Sequence, residues 1–248
     1  MNVSQKVFKD ELTGILNTLY EKENEHIEES AKLFVDCIKN DGVIHVFGTG
    51  HSVGFGIDLK GYAGSLVPIH IMQMSDFVLK NVVTFEDFTD KTNIFERRSG
   101  VAEKFMNLYD IRKQDIFVII SNSGINGIVI DLADLAKKKG HKVITITSMK
   151  HTLSEDSRHP SGKKLYEFGD IVIDNCGPVG DALLETDGRE RVCSVSSICG
   201  NAIAQSMVAR VCELLAEENV ELPLLRNENN DTDIIFNKKL LEHYQGRI

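Results

Sequence analysis

The chain has 248 residues and a formal net charge of −9, with 42% hydrophobic and 26% charged residues. This composition is typical of a globular protein and excludes an intrinsically disordered chain. The acidic balance argues against a nucleic-acid partner, which needs clustered positive charge, but small phosphorylated ligands stay open because backbone N–H groups bind them without basic side chains.

Two amphipathic helices are predicted ahead of any strand, over residues 3–19 and 27–38, and they form an N-terminal helical pair within residues 1–41. Buried strands then alternate with helices through residues 42–217, and a tail with one last helix occupies residues 218–248. The predicted strands are 43–47, 66–69, 115–120, 141–146 and 170–174, and the predicted helices are 53–63, 101–109, 128–136, 195–216 and 233–244. This alternation predicts a single α/β domain over residues 1–248, a three-layer sandwich with a five-stranded parallel sheet.

The sequence was also searched for membrane and signal segments, for cysteine pairs and for metal-binding motifs. No apolar run approaches the ~18 residues of a membrane span, and residues 1–10 lack the layout of a signal peptide. We therefore expect a cytoplasmic protein without a membrane partner. The five cysteines include no CxxC pair, and no HxH, HExxH or carboxylate cluster is present, so the sequence predicts no metal.

Two turns of small hydroxyl and glycine residues follow two of the predicted strands. They are residues 48–52 (Gly-Thr-Gly-His-Ser) and residues 121–124 (Ser-Asn-Ser-Gly). In a parallel sheet such turns lie at the carboxyl ends of strands, where free N–H groups point outward and ligands bind. Neither turn fits the Walker or GxGxxG pattern, so no nucleotide cofactor is expected. They predict an anion site, with plain tight turns as the alternative.

These two turns, with the strand that follows the second, resemble the sugar isomerase (SIS) domain family over about residues 43–216. Residues 157–163 (Ser-Arg-His-Pro-Ser-Gly-Lys) and 177–181 (Gly-Pro-Val-Gly-Asp) extend the resemblance to nearly the whole chain, and are similar to a bacterial subgroup related to phosphoheptose isomerase. The resemblance implies a flavodoxin-like sheet that binds a phosphosugar. It leaves the reaction open, because the family includes isomerases, an etherase and sugar-phosphate sensors.

Carried over residue by residue, the resemblance implies a phosphate site built from both turns and from a third segment that opens the long helix. The alternative for this third segment is ordinary helix capping. The implied phosphate-binding residues are Thr49, Ser52, Ser121, Asn122, Ser123, Gly124, Ser194, Ser196 and Ser197.

Aldose–ketose isomerisation requires a base that moves a proton between C1 and C2 and an acid that helps to open the ring. Asp58 is one candidate base, near where related isomerases carry a glutamate, and Glu185 is the other. His51, in the first turn, is a candidate for polarising a carbonyl. His159, in the long polar loop 149–169, is a candidate acid or phosphate contact.

Three functions remain open on the sequence alone. The favoured one is an enzyme that isomerises a sugar phosphate. The others are a non-catalytic sugar-phosphate sensor and a lyase or etherase acting on an amino-sugar phosphate. We also expect the leading helices and the long helix to bury apolar stripes across a two-fold axis, which gives a homodimer or a dimer of dimers.

Overall fold

The computed structural model describes residues 3–188 and 190–248 and centres on a five-stranded parallel sheet with strand order β2-β1-β3-β4-β5. The predicted α/β sandwich is confirmed. Strands β1, β3 and β4 are buried along their whole length, and β3, which lies between the other two, is continuously apolar rather than alternating. The strand bounds are β1 Ile44–Gly48, β2 Ile69–Met72, β3 Ile116–Ile120, β4 Val143–Thr147 and β5 Ile171–Asp174.

Helices cover both faces of this sheet. One face packs against α1 (Gln5–Lys39), α2 (Gly54–Leu59) and α8 (Ser196–Glu217), and the other against α5 (Ala102–Met106) and α6 (Gly127–Lys138). Each face therefore has its own apolar core, as a three-layer sandwich requires. The other helices are α3 (Asp76–Leu79), α4 (Phe85–Phe88), α7 (Met149–Ser154), α9 (Asp231–His243) and the 3₁₀ turns Gly50–Val53, Phe95–Arg97 and Leu165–Phe168.

The predicted N-terminal helical pair is wrong, because α1 is one continuous helix of 35 residues. At 1.5 Å per residue it is about 52 Å long. The charged segment between the two apolar stripes contains no glycine or proline, so nothing in it ends a helix. His26 and Glu23, which lie in this segment, contact each other across one turn at 2.7 Å.

The second strand begins three residues later than predicted, at Ile69 rather than residue 66. Pro68 has no N–H to donate to a sheet, so the ladder with β1 starts beyond it. Leu66 instead forms an isolated antiparallel bridge with Leu224 of the tail. The predicted helix 53–63 is also shorter and ends at Leu59, before Gly61, which has a φ of +94°.

A two-stranded antiparallel hairpin, β6 (Ala182–Glu185) and β7 (Arg191–Ser194), was not predicted. It stands apart from the main sheet and leads directly into α8. Ser194 therefore ends a strand, and the expectation that it opens the long helix is wrong. The loop 149–169 is not structureless either, since α7 and the 3₁₀ turn Leu165–Phe168 lie within it.

A buried polar network lies at the amino-terminal edge of the sheet. The Asp115 carboxylate, 1% exposed, receives two hydrogen bonds from Arg247, at 2.6 and 2.9 Å, and contacts His45 Nε2 at 3.1 Å. His45 Nδ1 lies 2.9 Å from Nδ1 of His70 on the neighbouring strand. The tail is thereby fixed to the sheet by the penultimate residue of the chain.

No helix in residues 3–188 and 190–248 has both the length and the apolar character to cross a membrane.

Candidate functional site

The site lies where the order of strands changes direction. The chain runs from β1 outward to β2 and then returns to place β3 on the other side of β1. The connections that leave β1 and β3 therefore diverge, and a crevice opens between their carboxyl ends. The turns 48–52 and 121–124 both enter this crevice.

The first turn is held tightly against the end of β1. A Cβ atom on Gly48 would come within 2.8 Å of the main-chain carbon and oxygen of Ser52, so only glycine allows this close approach. The 3₁₀ turn Gly50–Val53 follows at once and leaves His51 exposed and Ser52 half-buried. Both residues face the crevice.

The second turn partly satisfies its own polar groups. The Ser121 hydroxyl, 4% exposed, accepts the N–H of Gly124 at 3.1 Å. Gly124 has a φ of +62°, and a Cβ there would contact two threonine hydroxyls at 3.0 and 3.1 Å, so glycine is required. The N–H groups of Asn122 and Ser123 have no acceptor within the described part of the chain.

The amino-terminal end of α8 forms the third wall, and a carboxylate already occupies it. Asp181 accepts hydrogen bonds from the hydroxyls of Ser194 and Ser196 and from the N–H groups of Val195 and Ser196. Burial raises the pKa of Asp181, but these hydrogen bonds outweigh burial and hold the pKa below its usual value. An anion at this helix end is stabilised by the helix dipole. Ser197, the next residue, faces the crevice, and its hydroxyl makes no hydrogen bond with the described residues.

Together these walls form one cleft that is partly open to solvent. Its wall combines hydroxyl and amide groups with an apolar patch, and His51 is the one ionisable side chain among the described lining residues. The lining residues are His51, Ser52, Phe55, Ile120, Asn122, Ile146, Asn175, Ser196, Ser197, Gly200 and Asn201.

Comparison with known proteins assigns the family. A family model described as SIS domain matches residues 7–148, more than half of the chain. The chain belongs to the SIS domain family. The resemblance seen in the two turns is thus confirmed. A UPF0309 protein of Listeria monocytogenes serotype 4b is 34% identical over 235 residues, covering 94% of this chain and 93% of the relative. A UPF0309 protein of Halalkalibacterium halodurans is 32% identical and covers 93% of each chain.

Solved structures share the SIS fold at low sequence identity. Phosphoheptose isomerase GmhA from Neisseria gonorrhoeae superposes with a TM-score of 0.55 at 18% identity, over 82% of this chain and 94% of that one. The Vibrio vulnificus NanR protein, complexed with ManNAc-6P, superposes with a TM-score of 0.51 at 12% identity, over 96% of this chain and 68% of that one. At these identities the likeness concerns the fold alone.

The SIS fold brings some of the predicted phosphate-binding residues to the cleft and not others. Ser52, Asn122, Ser196 and Ser197 line it. The hydroxyls of Ser194 and Ser196 and the N–H of Gly124 are already bonded within the chain, so their role as phosphate donors is not supported by this geometry. The other predicted residues of the two turns are not among the residues that line the cleft. They are Thr49, Ser121, Ser123 and Gly124.

Of the four candidate catalytic residues, only His51 lines the cleft. The main-chain oxygen of Asp58 accepts a hydrogen bond from Gln205 of α8 at 2.8 Å, and its carboxylate lies 3.4 Å from the same amide. Glu185 is exposed on β6 and borders a separate groove. His159 contacts Asp131 of α6 at 2.8 Å and Ser161 at 2.7 Å. Asp58, Glu185 and His159 therefore lie outside the cleft.

Six lining residues were not predicted as site residues from the sequence: Phe55, Ile120, Ile146, Asn175, Gly200 and Asn201. Asn175 directly follows β5, and its amide donates to Asn122 at 2.9 Å across the cleft floor. Asn201 lies one helical turn after Ser197, a spacing that places both on one face of α8. Phe55 supplies the apolar side. The sequence does show an asparagine after a strand and a polar pair at i, i+4 on a helix, but neither pattern is specific for a binding site.

In the described ranges, no three His, Cys, Asp or Glu side chains converge in a way that could hold a metal ion.

Proposed function

We propose that the cleft binds a sugar phosphate, with the phosphate at the turn 121–124. One observation carries this proposal: the N–H groups of Asn122 and Ser123 have no acceptor in the described residues, although they lie at the end of a fully buried central strand. Such N–H groups at a switch point between strands are a suitable site for an anion. The hydroxyls of Ser52 and Ser123 add neutral donors nearby.

The nature of the rest of the ligand is supported by fold likeness. The superposed proteins include an enzyme named for a phosphosugar substrate and a protein solved with ManNAc-6P. The cleft's mixture of hydroxyl, amide and apolar groups suits a sugar, whose faces are apolar and whose edges are hydroxyls.

Replacing Ser123 with alanine is expected to weaken sugar-phosphate binding by roughly ten- to a hundredfold, since a hydrogen bond to a charged group contributes about 1.5–3 kcal/mol. The thermal unfolding temperature should be nearly unchanged, because Ser123 is half-buried and no hydrogen bond within the described residues depends on its hydroxyl. Isothermal titration calorimetry of the full chain with hexose, heptose and amino-sugar phosphates measures the effect.

The matched control is Ser154→Ala, which removes an exposed serine hydroxyl at the end of α7. Ser121→Ala is a less clean variant, because the Ser121 hydroxyl also holds the Gly124 N–H. If a ligand bound by the parent chain binds Ser123→Ala and Ser154→Ala equally well, the phosphate lies elsewhere.

As the reaction we propose aldose–ketose isomerisation with His51 as the acid–base group. A base takes the proton from C2 of the open-chain sugar, and a proton returns to C1, while the hydroxyl proton moves between the two oxygens. His51 is the one ionisable side chain among the described residues that line the cleft, so this role falls to it rather than to Asp58, Glu185 or His159.

His51→Asn is expected to abolish exchange of solvent deuterium into C1 or C2 of a bound sugar phosphate, because the amide cannot carry the proton. Ligand affinity should change by less than about threefold, since Asn still hydrogen-bonds. NMR of the sugar in deuterated buffer reports the exchange. Exchange that continues at the parent rate in His51→Asn would show that another group is the base.

The second candidate function is a sugar-phosphate sensor, and the composition of the cleft favours it. A cleft that only binds a ligand needs no base. Isomerisation requires both an acid and a base, whereas the described lining contains one ionisable side chain. Absence of exchange in the parent chain together with tight binding would select the sensor. The lyase or etherase alternative predicts exchange together with cleavage of the ligand.

The homodimer stays a prediction. The amino-terminal half of α1 supports it, because apolar side chains on one stripe are only partly covered by the described chain. They are Val7, Phe8, Leu12, Ile15 and Leu16.

A further inference from the structure

The cleft contains one side-chain amide that the fold leaves without a partner. The Asn201 Oδ1 atom is inaccessible to solvent and accepts no hydrogen bond from the described residues. The other two amides of the cleft are engaged, since Asn175 donates to Asn122 at 2.9 Å and accepts from the Gly177 N–H at 2.8 Å. A buried acceptor without a donor is unfavourable. Asn201 lines the cleft, so a rotation of its side chain that turns Oδ1 toward a ligand there would supply the missing donor.

Two carboxylates on elements that border this wall already accept hydrogen bonds from the chain itself. Asp181 is bonded to four donors at the start of α8. Asp174, at the end of β5, accepts the N–H groups of Met149 and Cys176, both at 2.9 Å. No aspartate, glutamate, lysine or arginine is among the described residues lining the cleft. A free amine on the sugar would therefore lose its water without meeting a carboxylate of the described lining, and a carboxylate on the sugar would meet no ionisable side chain of that lining except His51.

We propose that Asn201 binds the sugar part of the ligand and selects phosphate esters of uncharged sugars, neutral or N-acylated, against those with a free amine or a carboxylate. This inference rests on the proposed function. Asparagine both donates and accepts, so its amide matches a sugar hydroxyl or an acylamino group equally well. The apolar wall of Phe55, Ile120 and Ile146 covers the C–H face of a sugar or an acyl methyl group.

The test compares four ligands that share one phosphate ester. Two carry no other charge, one carries a free amine and one carries a carboxylate. Glucose 6-phosphate, N-acetylglucosamine 6-phosphate, glucosamine 6-phosphate and 6-phosphogluconate are titrated into the full chain at about pH 7. The two uncharged sugars should bind at least about tenfold more tightly than the other two.

Two variants of Asn201 examine the amide itself. Asn201→Asp keeps the shape and adds a negative charge, so glucosamine 6-phosphate should gain about tenfold relative to glucose 6-phosphate, and 6-phosphogluconate should weaken further. Asn201→Ala should weaken the two uncharged ligands by about tenfold, and it keeps the test decisive if the aspartate variant does not fold. Ser123→Ala serves as the matched control, because it should weaken all four ligands by the same factor.

The outcomes separate the two proposals. Equal affinity for all four ligands, or affinities that neither variant at Asn201 changes, overturns the inference and leaves sugar-phosphate binding standing. If none of the four ligands binds the parent chain and Ser123→Ala has no effect on any phosphate ester, the proposed function fails and this inference fails with it.

Discussion

Replacing Arg247 with methionine is expected to lower the free energy of unfolding by about 3–5 kcal/mol, the usual cost of removing one partner from a buried ion pair. Arg247 is 6% exposed and is the cation that meets the buried Asp115 carboxylate. Burial raises the pKa of Asp115, but hydrogen bonds from His45, from the Arg112 and Val43 N–H groups and from Arg247 outweigh burial and bring the pKa to about 2. Without Arg247 this buried carboxylate keeps its hydrogen bonds to His45 and to the two N–H groups but loses the cation that meets it.

Urea denaturation followed by circular dichroism measures this loss. The control is Arg112→Met, since the Arg112 side chain is 52% exposed and pairs with the exposed Asp110, so its loss should leave the denaturation midpoint nearly unchanged. The double variant Arg247→Met/Asp115→Asn should be more stable than the sum of its single changes, because it leaves no unpaired charge. A change below about 1 kcal/mol for Arg247→Met would contradict the assigned role of this pair.

Stability is also expected to fall as the pH drops below about 6.5, because two histidines of this network stay neutral in the fold. Burial lowers the pKa of His45, and burial together with the neighbouring His45, Lys60 and Lys80 lowers the pKa of His70 to about 3. The unfolded chain binds protons at these positions near pH 6.5 and the folded chain does not. The stabilisation is therefore fully present above about pH 6.5 and is lost as the pH falls through lower values.

The loss has an upper limit of about 1.4 kcal/mol per pH unit for each histidine, and it is smaller for the half-buried His70. Urea denaturation at a series of pH values between about 7.5 and 4.5 gives the slope. His70→Asn keeps a donor toward His45 and cannot bind a proton. The slope of its unfolding free energy against pH should therefore be smaller than that of the parent chain, by an amount that corresponds to at most one proton. If the stability of the parent chain is constant over this pH range, His45 and His70 do not stay neutral in the folded chain as proposed.

Much of the sheet could be predicted because its signal is local. Strand β3 is continuously apolar and buried on both faces, and α6 ends at basic residues followed by Gly140, so burial and helix termini were both visible along the chain. The errors arose where local signals were weak. Nothing between Leu19 and Ile27 breaks a helix, and the hairpin before α8 depends on left-handed backbone at Asp181 and Cys193, which their residue types do not announce.

The sequence by itself determined the parallel sheet and the position of the two turns, because apolar periodicity and the short-range chemistry of glycine and serine dictate both. Only the tertiary structure decided which polar groups are free to bind. Asp181 accepts the hydroxyls of Ser194 and Ser196, while Oδ1 of Asn201 has no donor among the described residues, and neither fact can be read from spacing. The tertiary structure likewise joined Asp115 to Arg247, 132 residues apart. Such pairings depend on how whole elements pack, so they carry no signature along the chain.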